Sequence, residues 1–148
     1  MYFVDREKIE NRLAYLEKQL DIFRSKELWN HDIDKLALER LCHLSIEIIL
    51  DVGNAMIDGF IMRDPGSYDD IIDILLDEKV ILPEEGEGLK EVIALRKVLV
   101  QDYLEVDEQQ LLQSFTKYFN VIAAFPLRVR TYIKKELGPV TAFKPIGK

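Results

Sequence analysis

One cysteine, two histidines, one tryptophan, no unbroken apolar run of membrane length and no surplus of positive charge: the 148-residue chain is defined first by scarcity. Cys42 stands alone in an apolar stretch, so it can form no internal disulfide and reads as a small buried side chain in a reducing compartment, the cytoplasm. The N-terminal "MYFVDREKIE" has no cationic lead into an apolar segment, and the apolar stretch from Leu41 to Met62 is interrupted by His43, Glu47, Asp51, Asn54 and Asp58. Neither a signal peptide nor a membrane span is therefore expected. A net charge of −7 opposes nonspecific nucleic-acid binding, which gains most of its affinity from lysine and arginine on phosphates. The charge is uneven, with +5 on residues 126–148 (Arg128, Arg130, Lys134, Lys135, Lys144 and Lys148 against Glu136) and −12 on the remainder. That basic end reads as a solvated helix face followed by a frayed tail. The glycine-rich, P-loop and nucleophile-elbow motifs are also missing, so dinucleotide binding, Walker-type phosphate transfer and α/β-hydrolase chemistry have no support, and no cofactor is expected.

What is present is helical periodicity. With 48% hydrophobic and 32% charged residues, the chain suits one helical-bundle domain over residues 1–138 and a C-terminal tail over 139–148. In "DREKIENRLAYLEKQLDIF" the apolar positions Ile9, Leu13, Leu16, Leu20 and Phe23 step by three or four. A second, long helix is predicted from Asp32 past Asp58, with Leu36, Leu41, Leu44, Ile48, Val52, Ala55 and Phe60 buried. "RDPGSYDD" ends it, and Ser67 with Asp70 resembles a capping box for a short helix through Leu76. "LPEEGEGL" reads as a further break, a fourth helix as residues 88–103, and a fifth as residues 108–137, N-capped by Asp107 and kinked or divided at Pro126. No sustained alternation marks a strand. The expectation is an all-α antiparallel bundle of four to five helices.

His43, Glu47, Asp51, Asn54 and Asp58 recur every three or four residues and share one stripe of the second helix. No Glu-x-x-His pair accompanies them, and only His31 and His43 exist to ligate, so a polar seam beside a partner subunit is preferred to a metal site and no metal is expected. A lone histidine on a mostly apolar helix is more often a hydrogen-bonded structural group than a base. Asp69, Asp70, Asp73, Asp77 and Glu78 read as a solvated helix face without chemistry, and Cys42 as inert.

"RKVLVQDY" places Arg96, Gln101 and Tyr103 in a stretch that otherwise looks like core. At 100 degrees per residue Arg96 and Tyr103 nearly eclipse, whereas Gln101 falls about 140 degrees away. For the three to serve one site, the helix must end or distort near Val100, or a second subunit must supply a wall. Spacing alone favours Arg96 paired with a carboxylate, Gln101 exposed and Tyr103 packed with its hydroxyl at the surface.

In context, "PGSYDDIIDILLDEKVILP" followed by "RKVLVQDYLEVD" resembles the HepT family, over roughly residues 36–130. That family pairs a Pro-x-Ser-Tyr turn with an Arg-x4-His-x-Tyr motif. The resemblance implies a helical bundle of the nucleotidyltransferase substrate-binding-subunit type, assembled as a homodimer with the motif in the cleft between subunits. It implies an RNase toxin that cleaves RNA without a metal, with Arg96 stabilising the phosphate. It further implies silencing by an MNT-type nucleotidyltransferase antitoxin that adenylylates Tyr103. Gln101 occupies the position of the family histidine. An amide donates and accepts hydrogen bonds but transfers no proton near neutral pH, and loss of a general acid or base costs on the order of 10²- to 10⁴-fold in rate. Gln101 is thus the candidate catalytic position that departs from the pattern, and His43 could substitute only if the fold sets it beside Arg96. The alternative is a noncatalytic helical dimer that binds a nucleotidyltransferase or another protein.

Overall fold

A computed structural model of the chain describes residues 3–138, so the expected tail over 139–148, with Lys144 and Lys148, lies outside the described residues. Helix α1 (Arg6–Ser25) is capped by Asp5, whose carboxylate accepts from the Lys8 N–H, and its five predicted apolar positions are all buried. The short connection of residues 26–31 leads into α2 (Asp32–Gly59), the expected spine. Leu41, Ile48, Val52 and Phe60 are buried as predicted, and Ala55 packs partly buried against the core. Leu36 is not: it lies one turn from the start of α2, 66% exposed, where the helix has not yet entered the body of the bundle. Elsewhere α2 is buried around much of its circumference, because α1, α3, α5 and α6 all pack on it.

The chain leaves α2 with Ile61 in the left-handed region (φ 56°), and the Met62 N–H closes on the Ile57 carbonyl. In α3 (Tyr68–Asp77) the Ser67 hydroxyl accepts from the Asp70 N–H, the predicted cap. The reciprocal half of the box does not form. The Asp70 carboxylate instead takes both ends of the Arg63 guanidinium at 2.8 Å and the Gly66 N–H at 2.8 Å, which clasps the turn. Those bonds, Arg63 first, hold Asp70 down at about pKa 2. Asp73 likewise pairs with Lys90, so the acidic cluster is partly a set of tethers.

The fourth predicted helix begins earlier and ends sooner than expected. Helix α4 (Pro83–Ala94) includes the supposed break, with Pro83 at its first position, where a missing N–H costs nothing. Its glycines are packing positions: a Cβ on Gly86 would lie 2.6 Å from Leu76 Cδ1, and one on Gly88 would lie 2.9 Å from Tyr118 Cδ1. A tightened turn at Leu95 separates α4 from the short α5 (Arg96–Val100), and a 3-10 turn follows at Tyr103–Glu105.

Asp107 caps α6 (Glu108–Lys117) by accepting from Gln109 and Gln110. The predicted division of the last segment is real but lies at Tyr118, and Pro126 sits buried inside α7 (Phe119–Leu137). Tyr118 leaves helical geometry where its ring meets Gly88, and the next residue, Phe119, stacks on Phe23. Helix α7 returns along α1 and α4, and Val129 and Ile133 join α1's apolar stripe in the core. The basic end is not simply a solvated face: Arg128 is held by Glu85 of α4, and Arg130 by Glu10 and Glu17 of α1. All the regular structure of the described residues is helical, and no helix among them is long and apolar enough to cross a membrane.

Candidate functional site

Helix α5 lies against α2, and this contact builds the site. Arg96 opens α5 and donates its Nε–H to Glu47 Oε2 at 2.6 Å, the carboxylate partner expected from spacing. Its guanidinium carbon stands 4.8 Å from the centre of the Tyr68 ring, at the start of α3. Ring and carboxylate both favour the cation. The Glu47 hydrogen bond raises the Arg96 pKa further, so the group is charged throughout the physiological range. A cavity of about 370 Å³ opens beside it, lined by Ser67, Tyr68, Asp69, Arg96, Lys97 and Gln101 among others.

The helix ends at Val100, and this brings Gln101 to the same cavity as Arg96. Gln101 is the C-cap of α5: its N–H, and that of Asp102, both close on the Lys97 carbonyl, and the side chain is exposed. Tyr103 is 65% exposed on the 3-10 turn and does not line the cavity, so it is not packed down as spacing suggested. Of the three residues the fold unites Arg96 and Gln101, with Tyr103 a short distance along the chain.

The polar stripe of α2 is divided between two neighbours. Glu47 serves α5, and His43 Nε2 lies 3.9 Å from the same Glu47 Oε2 that holds Arg96. Asp51 faces Arg12 of α1 at 3.9 Å, and Asn54 and Asp58 are exposed. Among the described residues no group of three or more His, Cys, Asp or Glu side chains is placed to hold a metal ion. Burial, with a smaller contribution from the Glu39 charge, pushes the Cys42 thiol above its ordinary range, which disfavours the reactive thiolate. Glu39, one turn before His43, has its own carboxyl raised to about 7, first by desolvation and then by a hydrogen bond and like charge from Glu108 of α6.

Sequence reasoning missed Glu47 as the partner of Arg96, Tyr68 as its stacking plate, and the Glu39 and Glu108 pair. Glu47 was visible as a member of the stripe and Tyr68 as the aromatic of "PGSY". What the sequence could not supply was the distance of 49 positions that α2 and α5 close.

The family model described as Ribonuclease HepT-like matches residues 9–129. YutE of Bacillus subtilis (strain 168), named as a candidate RNase, is 56% identical over 144 residues, covering 97% of this chain and 100% of YutE. A solved structure of YutE, described as a cytosolic protein of unknown function, superposes with a TM-score of 0.94 over the same shares. A tri-AMPylated Shewanella oneidensis HEPN toxin in complex with MNT antitoxin has a TM-score of 0.73 at 16% identity, covering 83% of this chain and 96% of that one. A toxin-antitoxin structure with AMP-PNP gives 0.74 at 15% identity, over 83% and 97%. These last two likenesses speak for the fold alone.

Proposed function

The chain belongs to the HepT-like ribonuclease family, and from that premise we propose that it is an RNase toxin that cleaves RNA with Arg96 as its phosphate-binding cation. The observation that carries the reading is the mounting of Arg96. Its Nε is engaged by Glu47 and its plane is stacked on Tyr68, while among the described residues no hydrogen bond engages its two terminal nitrogens beside the 370 Å³ cavity. A fork held by its stem suits bidentate binding of phosphate, and such a charge stabilises the developing negative charge on phosphorus oxygens. The reaction needs no metal to supply this charge, and chelation with EDTA should leave cleavage intact. Gln101 lies where it can hydrogen-bond the same group.

The same reading makes the protein a cytoplasmic homodimer with the site beside the subunit contact, which the exposed Leu36 and Leu104 near α5 support. It also makes Tyr103 the residue that an MNT-type nucleotidyltransferase adenylylates, its exposed hydroxyl displacing pyrophosphate from ATP. Mass spectrometry after incubation with such an enzyme and ATP should find AMP on wild type and none on Tyr103→Phe at that position. Domain limits of 1–138, with a separate tail, complete the proposal.

Gln101 favours a second reading, a noncatalytic dimer that retains fold and acceptor tyrosine without the nuclease. One assay separates them. Cleavage by wild type that disappears in Arg96→Ala supports the RNase. Silence in wild type with cleavage appearing in Gln101→His supports the noncatalytic relative.

A further inference from the structure

RNA strand cleavage by the 2′-hydroxyl requires more than a cation. As the O2′–P bond forms and the P–O5′ bond breaks, a proton must leave the 2′-oxygen and another must reach the departing 5′-oxygen. Gln101 can do neither, since a carboxamide does not titrate in this range. Near neutral pH histidine is the side-chain type suited to the task. The chain has two, and His31 precedes α2, twelve positions from His43 and so about 18 Å away along the helix.

His43 is placed differently. Its Nε2 lies 3.9 Å from Glu47 Oε2, the atom that accepts from Arg96 Nε at 2.6 Å. One carboxylate oxygen therefore anchors the guanidinium and faces the imidazole. At 3.9 Å the imidazole is in ionic reach of Glu47 but forms no hydrogen bond with it. Nor does the ring hydrogen-bond to any other group among the described residues, so the satisfied structural histidine expected on such a helix is not what the fold contains. The side chain is 29% exposed and borders an open recess of about 210 Å³ with Leu36, Glu39, Arg40 and Leu99. Leu99 is one turn beyond Arg96 on α5, so the recess and the Arg96 cavity flank the same short helix.

We propose that His43 is the proton-transfer residue of this ribonuclease, in the role that Gln101 cannot fill; the assignment rests on the RNase reading above. In the step it serves, the neutral imidazole takes the proton of the attacking 2′-hydroxyl as the O2′–P bond forms. The Glu47 carboxylate faces the imidazolium produced, and Arg96 holds the nonbridging phosphate oxygens. The 5′-oxygen leaves with a proton from water, and the imidazolium returns its proton to solvent. The products are a 2′,3′-cyclic phosphate and a 5′-hydroxyl end. Glu47 acts as a positioning residue for both partners. Gln101 hydrogen-bonds the phosphate without exchanging a proton.

The test is cleavage of single-stranded RNA by purified full-length wild type, Arg96→Ala, His43→Gln, His43→Ala and His31→Ala, with helicity checked for each. His43→Gln should lower kcat by on the order of 10²- to 10⁴-fold with little change in KM. Added imidazole should restore part of the activity of His43→Ala and none of that of Arg96→Ala, a rescue that a structural role would not produce. His31→Ala should cleave as wild type does. If Arg96→Ala abolishes cleavage while both folded His43 variants retain the wild-type rate, the assignment to His43 is overturned and the RNase reading stands. If wild type cleaves nothing, the RNase reading fails and the assignment fails with it.

Discussion

Arginine closes two seams of this bundle in opposite ways. Between α1 and α7, Arg130 donates through Nε, Nη1 and Nη2 to Glu10 and Glu17 at 2.6 to 2.9 Å, so every nitrogen of its guanidinium is engaged. Between α2 and α5, Arg96 donates, among the described residues, through Nε alone, to Glu47 at 2.6 Å. Both pairs join helices far apart in sequence, and both raise the arginine pKa. The first uses its donors to fasten the fold. The second is fastened by one donor and presents the others at a cavity, so the count of engaged nitrogens separates a brace from a candidate binding group where net charge and burial would not.

The largest expected effect on this comparison comes from Arg96→Ala. RNA cleavage should fall by on the order of 10²- to 10³-fold while helicity and cooperative unfolding are retained, since α5 buries no residue fully. Glu47→Gln comes next. The amide keeps a hydrogen bond but loses the charge that fixes the guanidinium, and cleavage should fall on the order of 10- to 100-fold, the scale of a misplaced catalytic group. Arg130→Ala should do the reverse, leaving cleavage at the wild-type rate while urea denaturation shows a loss of about 1 kcal/mol, because Glu10 and Glu17 are half-exposed and rehydrate. If Arg130→Ala silenced cleavage or Arg96→Ala unfolded the chain, the division between brace and binding group would be wrong.

The effect with the least bearing on that comparison belongs to Glu39, whose carboxyl is raised to about 7 from an ordinary value near 4.5. Between those pH values the folded chain keeps a proton that the unfolded chain has lost, so stability declines as pH rises from 4.5 to 7 and is flat in this contribution outside that window. Glu39→Gln should remove that part of the slope in urea midpoints measured against pH.

Much of the fold could be read directly from residue order. The steps of Ile9, Leu13, Leu16, Leu20 and Phe23, the caps at Ser67 and Asp107, and the start of α2 at Asp32 are local signals, and local signals carry helices. The misreadings occurred where tertiary contact decides. Gly86 and Gly88 look like turn residues, yet within α4 Leu76 and the Tyr118 ring approach so closely that a Cβ at either position would displace them. Pro126 looks like a breaker, yet its ring fills buried space in α7 while Tyr118 makes the break. The candidate site was half legible. "RKVLVQDY" marked Arg96, Gln101 and Tyr103, but the Glu47 anchor and the approach of His43 exist only because α5 lies against α2.

Helix α5 and the 3-10 turn after it contain no fully buried residue, although they carry Arg96, Gln101 and Tyr103. Segments with so little apolar anchorage open at a lower free energy than the core that supports them. Backbone amides of residues 96–105 should therefore exchange with deuterated solvent well ahead of those in the middle of α2. A ligand held by Arg96 would slow that exchange, because binding favours the closed segment over the opened one. Occupancy of the cavity could then be followed through the amide protection of one short stretch of backbone, without any turnover at all.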